Sequence, residues 1–128
     1  MIPFRVAFEP GSALHEQVLY AARKAIVGGK LAAGDAFPSV RTLARELKIN
    51  PNTAHKVVER LTAEGLLEVM PGIGCVVAKA AAGSRSEKKR LLDREVEALV
   101  VEARRLGLGL EELQGAVEEH WMTLGGRK

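Results

Sequence analysis

Apolar residues recur at helical spacing in two short stripes near the middle of the chain. Val40, Leu43, Ala44 and Leu47 fall at i, i+3, i+4 and i+7, and Ala54, Val57, Val58 and Leu61 repeat that pattern. Each stripe has a start signal. Ser39 suits the N-cap of the first helix, because its hydroxyl can accept a hydrogen bond from a free amide of the first turn. Asn50 suits the N-cap of the second, with Pro51 at the first helical position, where no amide is needed. Only Lys48, Ile49 and Asn50 separate the stripes, so the two helices are expected to cross steeply, as in a helix-turn-helix. Gly65 then offers a left-handed residue past the second helix, and Leu66 can fold back on Leu61.

Upstream, Ile2 to Phe8 suits a short extended lead-in, and Glu9 to Ser12 a turn. Ser12 reads as the N-cap of a helix with Glu16 near its first turn. Leu14, Val18, Leu19, Ala22, Ala25 and Ile26 form its buried face, and Gly28 and Gly29 stop it. That helix completes a three-helix core. Leu31 to Phe37 is a connector with a Gly34-Asp35 turn and a minimal strand near Phe37. Downstream, Leu67–Met70 and Cys75–Ala78 are β-prone, and Pro71, Gly72, Ile73 and Gly74 between them fit a hairpin loop. Alone this is an ordinary hairpin tip. After a helix-turn-helix it is a wing, whose glycines let the backbone approach the minor groove and phosphates.

The rest of the chain has a different pattern. Ala80 to Ser86 is small and polar, a hinge or linker. Ser84 with Glu87 fits a capping box. Leu92, Val96, Leu99, Ala103 and Leu106 alternate four- and three-residue spacings, a coiled-coil-like seam. Gly107 and Gly109 end it. A last helix from about Leu110 to Leu124 has Leu113, Val117, Trp121 and Leu124 on one side, with Glu111 and Glu112 in the first turn, where the helix dipole favours them. Two such helices cannot cover both seams with each other, so a second copy is the expected partner; the alternative is a tail packed on its own winged helix. The expected fold class is mostly α with a small β wing: a winged helix-turn-helix over residues 1–79, then a linker and two-helix dimerisation tail over 80–128.

Charge sharpens this division. The 128 residues carry a net charge of +3, and the isoelectric point is near 9.2. Residues 1–79 hold ten Lys or Arg against seven Asp or Glu, while residues 80–128 hold nine of each. The basic excess thus belongs to the half that would meet phosphates. Hydrophobic residues at 47% suffice for a core that aliphatic side chains must fill, aromatics being 4%. A single cysteine excludes an internal disulfide and fits a reducing compartment. With no charged-then-apolar leader and no apolar run near 18 residues, a soluble, cytoplasmic protein without membrane contact is expected.

A recognition helix presents its N-terminal residues to base edges, while phosphate contacts fix its orientation. Opposite the apolar stripe of the second helix lie Asn52, Thr53, His55, Lys56, Glu59 and Arg60. Asn52 can pair bidentately with adenine, and Lys56 can reach guanine or phosphate. Asn50, Thr53, Ser39 and Arg41 suit phosphates, Arg41 also a base.

The ordered pieces Gly34-Asp35, Pro38-Ser39-x-Arg41, Leu43-Ala44, Asn50 to Thr53, Leu61-x-x-x-Gly65 and Pro71-Gly72-x-Gly74 resemble the DNA-binding domain of the GntR family of bacterial transcription regulators. The resemblance covers roughly residues 12–78, and the short helical tail is similar to the YtrA-type branch, which lacks the large effector domains of other branches. It implies a homodimeric regulator, a repressor by leaning, on double-stranded operator DNA of inverted-repeat form. It also implies DNA contacts by Arg41, Asn50, Asn52, Thr53, His55 and Gly72, to which the residue chemistry adds Ser39, Lys56 and Gly74. The sequence departs from the family pattern at His55 and Lys56, where arginines are more usual, at Cys75, where a threonine is, and at Met70-Pro71, where a more basic pair is. The operator sequence is therefore open, as is any small-molecule effector.

Other classes fare worse. There is no paired carboxylate, nucleophile elbow or phosphate-cradling glycine loop, so no enzyme and no cofactor are expected. His15, His55 and His120 lie far apart in sequence, and with Cys75 alone no metal-ligand spacing arises. Cys75 on a β-run reads as a small core residue rather than a redox sensor. A winged-helix protein-interaction module and a non-specific DNA binder remain as alternatives.

Overall fold

Two polar side chains start the central helices of the computed structural model, which describes residues 2–79 and 83–125. Ser39 Oγ accepts from the Thr42 amide at 3.1 Å and opens α2 (Val40–Leu47). Asn50 Oδ1 accepts from the Asn52 amide at 2.7 Å and opens α3 (Pro51–Ala63), with Pro51 in the first turn. Leu43, Ala54, Val57 and Leu61 are buried, and Val40, Ala44, Leu47 and Val58 pack half-buried against them. Gly65 closes α3 at φ +79°, its amide reaching the Thr62 carbonyl while the Leu66 amide reaches that of Leu61.

The turn between α2 and α3 rests on Lys48, which caps α2 in the left-handed region at φ 56°, ψ 47°. It is the single non-glycine with positive φ among the described residues. A Cβ in that region is unfavourable by about 1 kcal/mol. Lys48→Gly is therefore expected to unfold at the same or slightly higher urea concentration, and Lys48→Val at a lower one. Equal destabilisation by both would place the importance of this position in the side chain rather than the backbone.

α1 (Leu14–Val27) supplies Val18, Leu19, Ala22, Ala25 and Ile26 to the same core. Here the structure corrects the expected start. Ala13, not Ser12, is the N-cap and makes no side-chain cap. Gln17 instead ties the preceding turn to the helix, its side-chain amide bonding both the Glu9 backbone and the Ser12 carbonyl at 2.8–2.9 Å. Leu14, expected inside, is exposed, because it occupies the open first turn before the helix meets its neighbours. The lead-in forms no strand, yet Phe4 is buried and stacks on Phe37, ring centroids 6.0 Å apart.

β1 (Leu67–Met70) and β2 (Gly74–Val77) pair antiparallel, Leu67 opposite Val77 and Met70 opposite Gly74. The second strand begins one residue earlier than expected. Gly74, at φ +111°, belongs to it, so Pro71, Gly72 and Ile73 alone make the turn. The minimal third strand is a single bridge, Ala36 to Val76, flanked by Phe37 N–H to Cys75 carbonyl at 2.9 Å and Val77 N–H to Asp35 carbonyl at 2.8 Å. Cys75 is half-buried against the core.

The described residues divide into two compact units, 2–79 and 83–125. The second opens at Ser84, whose hydroxyl and backbone form the expected capping box with Glu87 at the head of α4 (Arg85–Arg90). Three of the seven expected linker residues, 80–82, lie outside the described residues, and the last two, Arg85 and Ser86, already belong to α4. One π-helical turn (Leu91–Glu95) then separates α4 from α5 (Val96–Arg105), so the seam does not run on one regular helix. Gly107, at φ +81°, ends α5, with the Leu108 amide on the Ala103 carbonyl. α6 (Leu110–Leu124) follows, with Glu112 reaching back to the Gly109 amide. Of the expected seam residues, Ala103 is buried and Leu113 half-buried, whereas Leu92, Val96, Leu99, Leu106, Val117 and Trp121 are exposed.

Candidate nucleic-acid interface

The caps that start α2 and α3 also define what their N-termini offer. In any first helical turn the leading amides have no acceptor inside the helix and attract anions. Asn50 spends its side-chain oxygen on the Asn52 amide, which leaves its NH2 group to donate outward. Ser39 is different. Its oxygen accepts from the Thr42 amide and its hydroxyl donates to Thr42 Oγ1 at 3.0 Å, so its donor is already engaged. Ser39 thus acts as a cap, and its neighbour Arg41 carries the free charge.

Of the nine residues singled out from sequence, Ser39, Arg41, Asn50, Asn52, His55, Lys56, Gly72 and Gly74 are exposed and Thr53 is half-buried. All belong to the first unit. α2 packs on α3, and α3 on β1, so both helix starts and the wing stand on one scaffold. Among the described residues no hydrogen bond or ion pair joins Gly72 or Gly74 to the helix residues of the nine.

Charge on α3 is arranged unevenly. At its C-terminal end Arg60 lies 3.9 Å from Glu16 and 3.8 Å from Glu64. Arg23 of α1 forks onto the same Glu64, Nε to Oε1 at 3.0 Å and Nη2 to Oε2 at 2.7 Å. That hydrogen bond holds the Arg23 guanidinium above its ordinary pKa against the opposing effect of burial. At the N-terminal end Asn52, His55 and Lys56 have side chains without any hydrogen bond or ion pair to a described residue, and so do Arg41 on α2 and Lys48 in the turn. Lys48 is a further exposed cation that the sequence reading did not single out. Its place in the three-residue turn that ends at Asn50 was the available signal.

The wing carries apolar side chains beside its glycines. Val69 and Ile73 are exposed near its tip, and its conformation depends on Gly72 at φ +79°. No group of three or more His, Cys, Asp or Glu among the described residues is placed to hold a metal ion. None of the described helices is long and apolar enough to cross a membrane.

Three helices, a tight turn between the second and third, free polar side chains at the start of that third helix and a two-stranded wing define a winged helix-turn-helix DNA-binding domain. The family described as "Bacterial regulatory proteins, gntR family" matches residues 14–77, half of the chain. The chain belongs to that family; it is a transcription regulator with a DNA-binding winged helix, and not an enzyme. It is 30% identical over 107 residues to the HTH-type transcriptional repressor YtrA of Bacillus subtilis (strain 168), covering 83% of this chain and 82% of that one. Among solved structures, a Listeria monocytogenes EGD-e protein described as a transcriptional antiterminator superposes with a TM-score of 0.82 at 21% identity, over 98% of this chain and 94% of that one. The Sulfolobus acidocaldarius GntR-family transcription factor YtrA superposes at 0.54 with 22% identity, over 93% and 97% of the two chains. Both share the fold.

Proposed function

We propose that this protein is a cytoplasmic, sequence-specific repressor that binds an inverted-repeat operator as a homodimer. The observation that carries the reading is the group of unpaired polar and basic side chains on and beside the start of α3. The far end of that helix is neutralised by Glu16 and Glu64, while Arg41, Lys48, Lys56, His55 and Asn52 stand unpaired where a major groove would receive them. In this reading residues 1–79 bind DNA. Asn52 and Lys56 read bases, Arg41, Asn50, Thr53 and His55 set the register on the backbone, and Gly72 and Gly74 bring the wing close to the minor groove. Repression follows the activity named for the Bacillus relative.

Residues 80–128 serve as linker and dimerising tail. Their support is exposure: Leu92 is 66% and Trp121 64% exposed, with Leu99 and Val117 about half exposed. Apolar surface of that extent is favourable to cover, and a second copy offers a matching seam. Any small-molecule effector would then sit at that interface.

Two substitutions separate base contacts from phosphate contacts. Asn52→Ala is expected to weaken operator binding by about 1–3 kcal/mol and relax preference at particular bases. Arg41→Ala is expected to weaken binding to all duplexes and lower the salt slope by about 1. Retention of both affinity and preference by Asn52→Ala would mean that α3 presents another face. A protein-interaction module would bind no duplex at any salt, and a non-specific binder would bind operator and random duplex equally.

A further inference from the structure

Residues 80–128 are neutral in sum but strongly divided. Between Gly83 and Arg94, five cations (Arg85, Lys88, Lys89, Arg90 and Arg94) face two carboxylates, Glu87 and Asp93. From Glu95 onward four cations face seven carboxylates. The short basic segment therefore carries as much net charge as the whole chain.

Both of its carboxylates are engaged. Glu87 accepts from the Ser84 backbone at 2.8 Å in the capping box, which lowers its pKa from the ordinary carboxylate value. Asp93 pairs with Lys89 at 3.2 Å. The side chains of Arg85, Lys88, Arg90 and Arg94 make no hydrogen bond or ion pair to a described residue, and these residues are exposed. Ser86, Lys89, Arg90, Asp93 and Arg94 line one shallow concavity, so the last two arginines share a face.

We propose that this segment is a second, sequence-independent DNA contact that grips phosphates flanking the bases read by the winged helix. The inference rests on the operator binding proposed above. Ten helical residues extend about 15 Å, with Arg85 and Lys88 on one side and Arg90 and Arg94 on the other, so the cations are spread along the segment rather than gathered in a cup for one small anion. Duplex DNA presents a charge every ~1.7 Å along its axis, and unpaired cations spread over a comparable length complement it. Reach also permits it. Arg85 lies eight residues beyond Val77, the end of β2, which is at most about 26–29 Å of extended chain. One turn of duplex is about 34 Å long. The acidic stretch after Glu95 confines the contact to the start of the tail.

The test compares the full chain with a variant carrying Arg85→Gln, Lys88→Gln, Arg90→Gln and Arg94→Gln, on the selected operator with and without flanking base pairs. Glutamine preserves helix propensity, and helical circular dichroism checks it. The variant is expected to bind the flanked duplex about tenfold or more weaker at low salt, with the slope of log K against log salt reduced by about 0.9 for each phosphate that is no longer neutralised. Base preference stays the same, and the trimmed duplex shows little difference. Arg85→Lys, Arg90→Lys and Arg94→Lys together keep the slope. An unchanged slope in the glutamine variant overturns this inference alone. So does a variant that loses binding of inorganic phosphate but not of flanked DNA, which would make the segment a small-anion site. A full chain that binds no selected duplex overturns the operator reading and this one together.

Discussion

A chain ending at Lys79 is expected to fold, to run as a monomer and to lose about 10²–10⁴ of operator affinity. Folding follows from where the core lies. Every residue of the buried cluster and of the half-buried layer against it falls between Ile2 and Val77, so the tail contributes none of it. The affinity loss follows from tethering. A single winged helix makes few base contacts, and joining two turns the second contact into an intramolecular one without adding any interaction. Truncation also removes the basic segment, so a second variant isolates the dimer. Leu99→Glu keeps every cation but sets a charge in an apolar seam that is exposed in the single chain. It should leave the folded winged helix intact, shift light scattering from dimer to monomer and reduce affinity nearly as far. A truncated chain that scatters as a dimer, or a monomer that binds as tightly as the whole, would contradict this.

The largest loss of stability is expected at Leu61. It is fully buried on α3, and its carbonyl receives the Leu66 amide that ends the helix. Leu61→Ala removes three carbons from the point where α3 turns into β1 and leaves a cavity between the helices. Large-to-small changes at such sites cost about 2–5 kcal/mol. For a domain whose whole stability is on the order of 5–15 kcal/mol, that is enough to populate the unfolded state near physiological temperature. Urea unfolding followed by circular dichroism measures it. A loss under about 1 kcal/mol would show that the core collapses around the gap. The comparison with Lys48→Gly is informative, since both changes lie on the helix-turn-helix and only Leu61→Ala is expected to lower stability.

The helix-turn-helix was legible because its signals are local. The stripes, Ser39 and Asn50 as caps, Pro51 and Gly65 each act within a few residues, and the structure forms α2 and α3 around them. What the pattern missed is long-range or additive. Phe4 is buried because Phe37, thirty-three positions away, stacks on it. Gln17 closes α1 through backbone groups of the preceding turn, a contact that no capping motif announces. The π-helical turn Leu91–Glu95 inserts itself into a regular seam without a proline or glycine to mark it. The candidate DNA-reading residues were legible as types, yet hydrogen bonding refines them. Ser39 has its donor engaged, and Lys48 joins the unpaired cations. The basic start of the tail, Arg85 to Arg94, was legible in the order of charges along the sequence, and the structure adds that most of its cations are unpaired among the described residues.

The most direct measurement of the central claim is selection of duplexes from a random library by the full chain, followed by the stoichiometry and salt dependence of binding to the selected sequence. The account predicts an imperfect inverted repeat with half-sites about one helical turn apart or closer, two chains per duplex and affinity that falls steeply with salt. Recovery of a single asymmetric half-site bound by one chain, or no enrichment over the starting library, would contradict it.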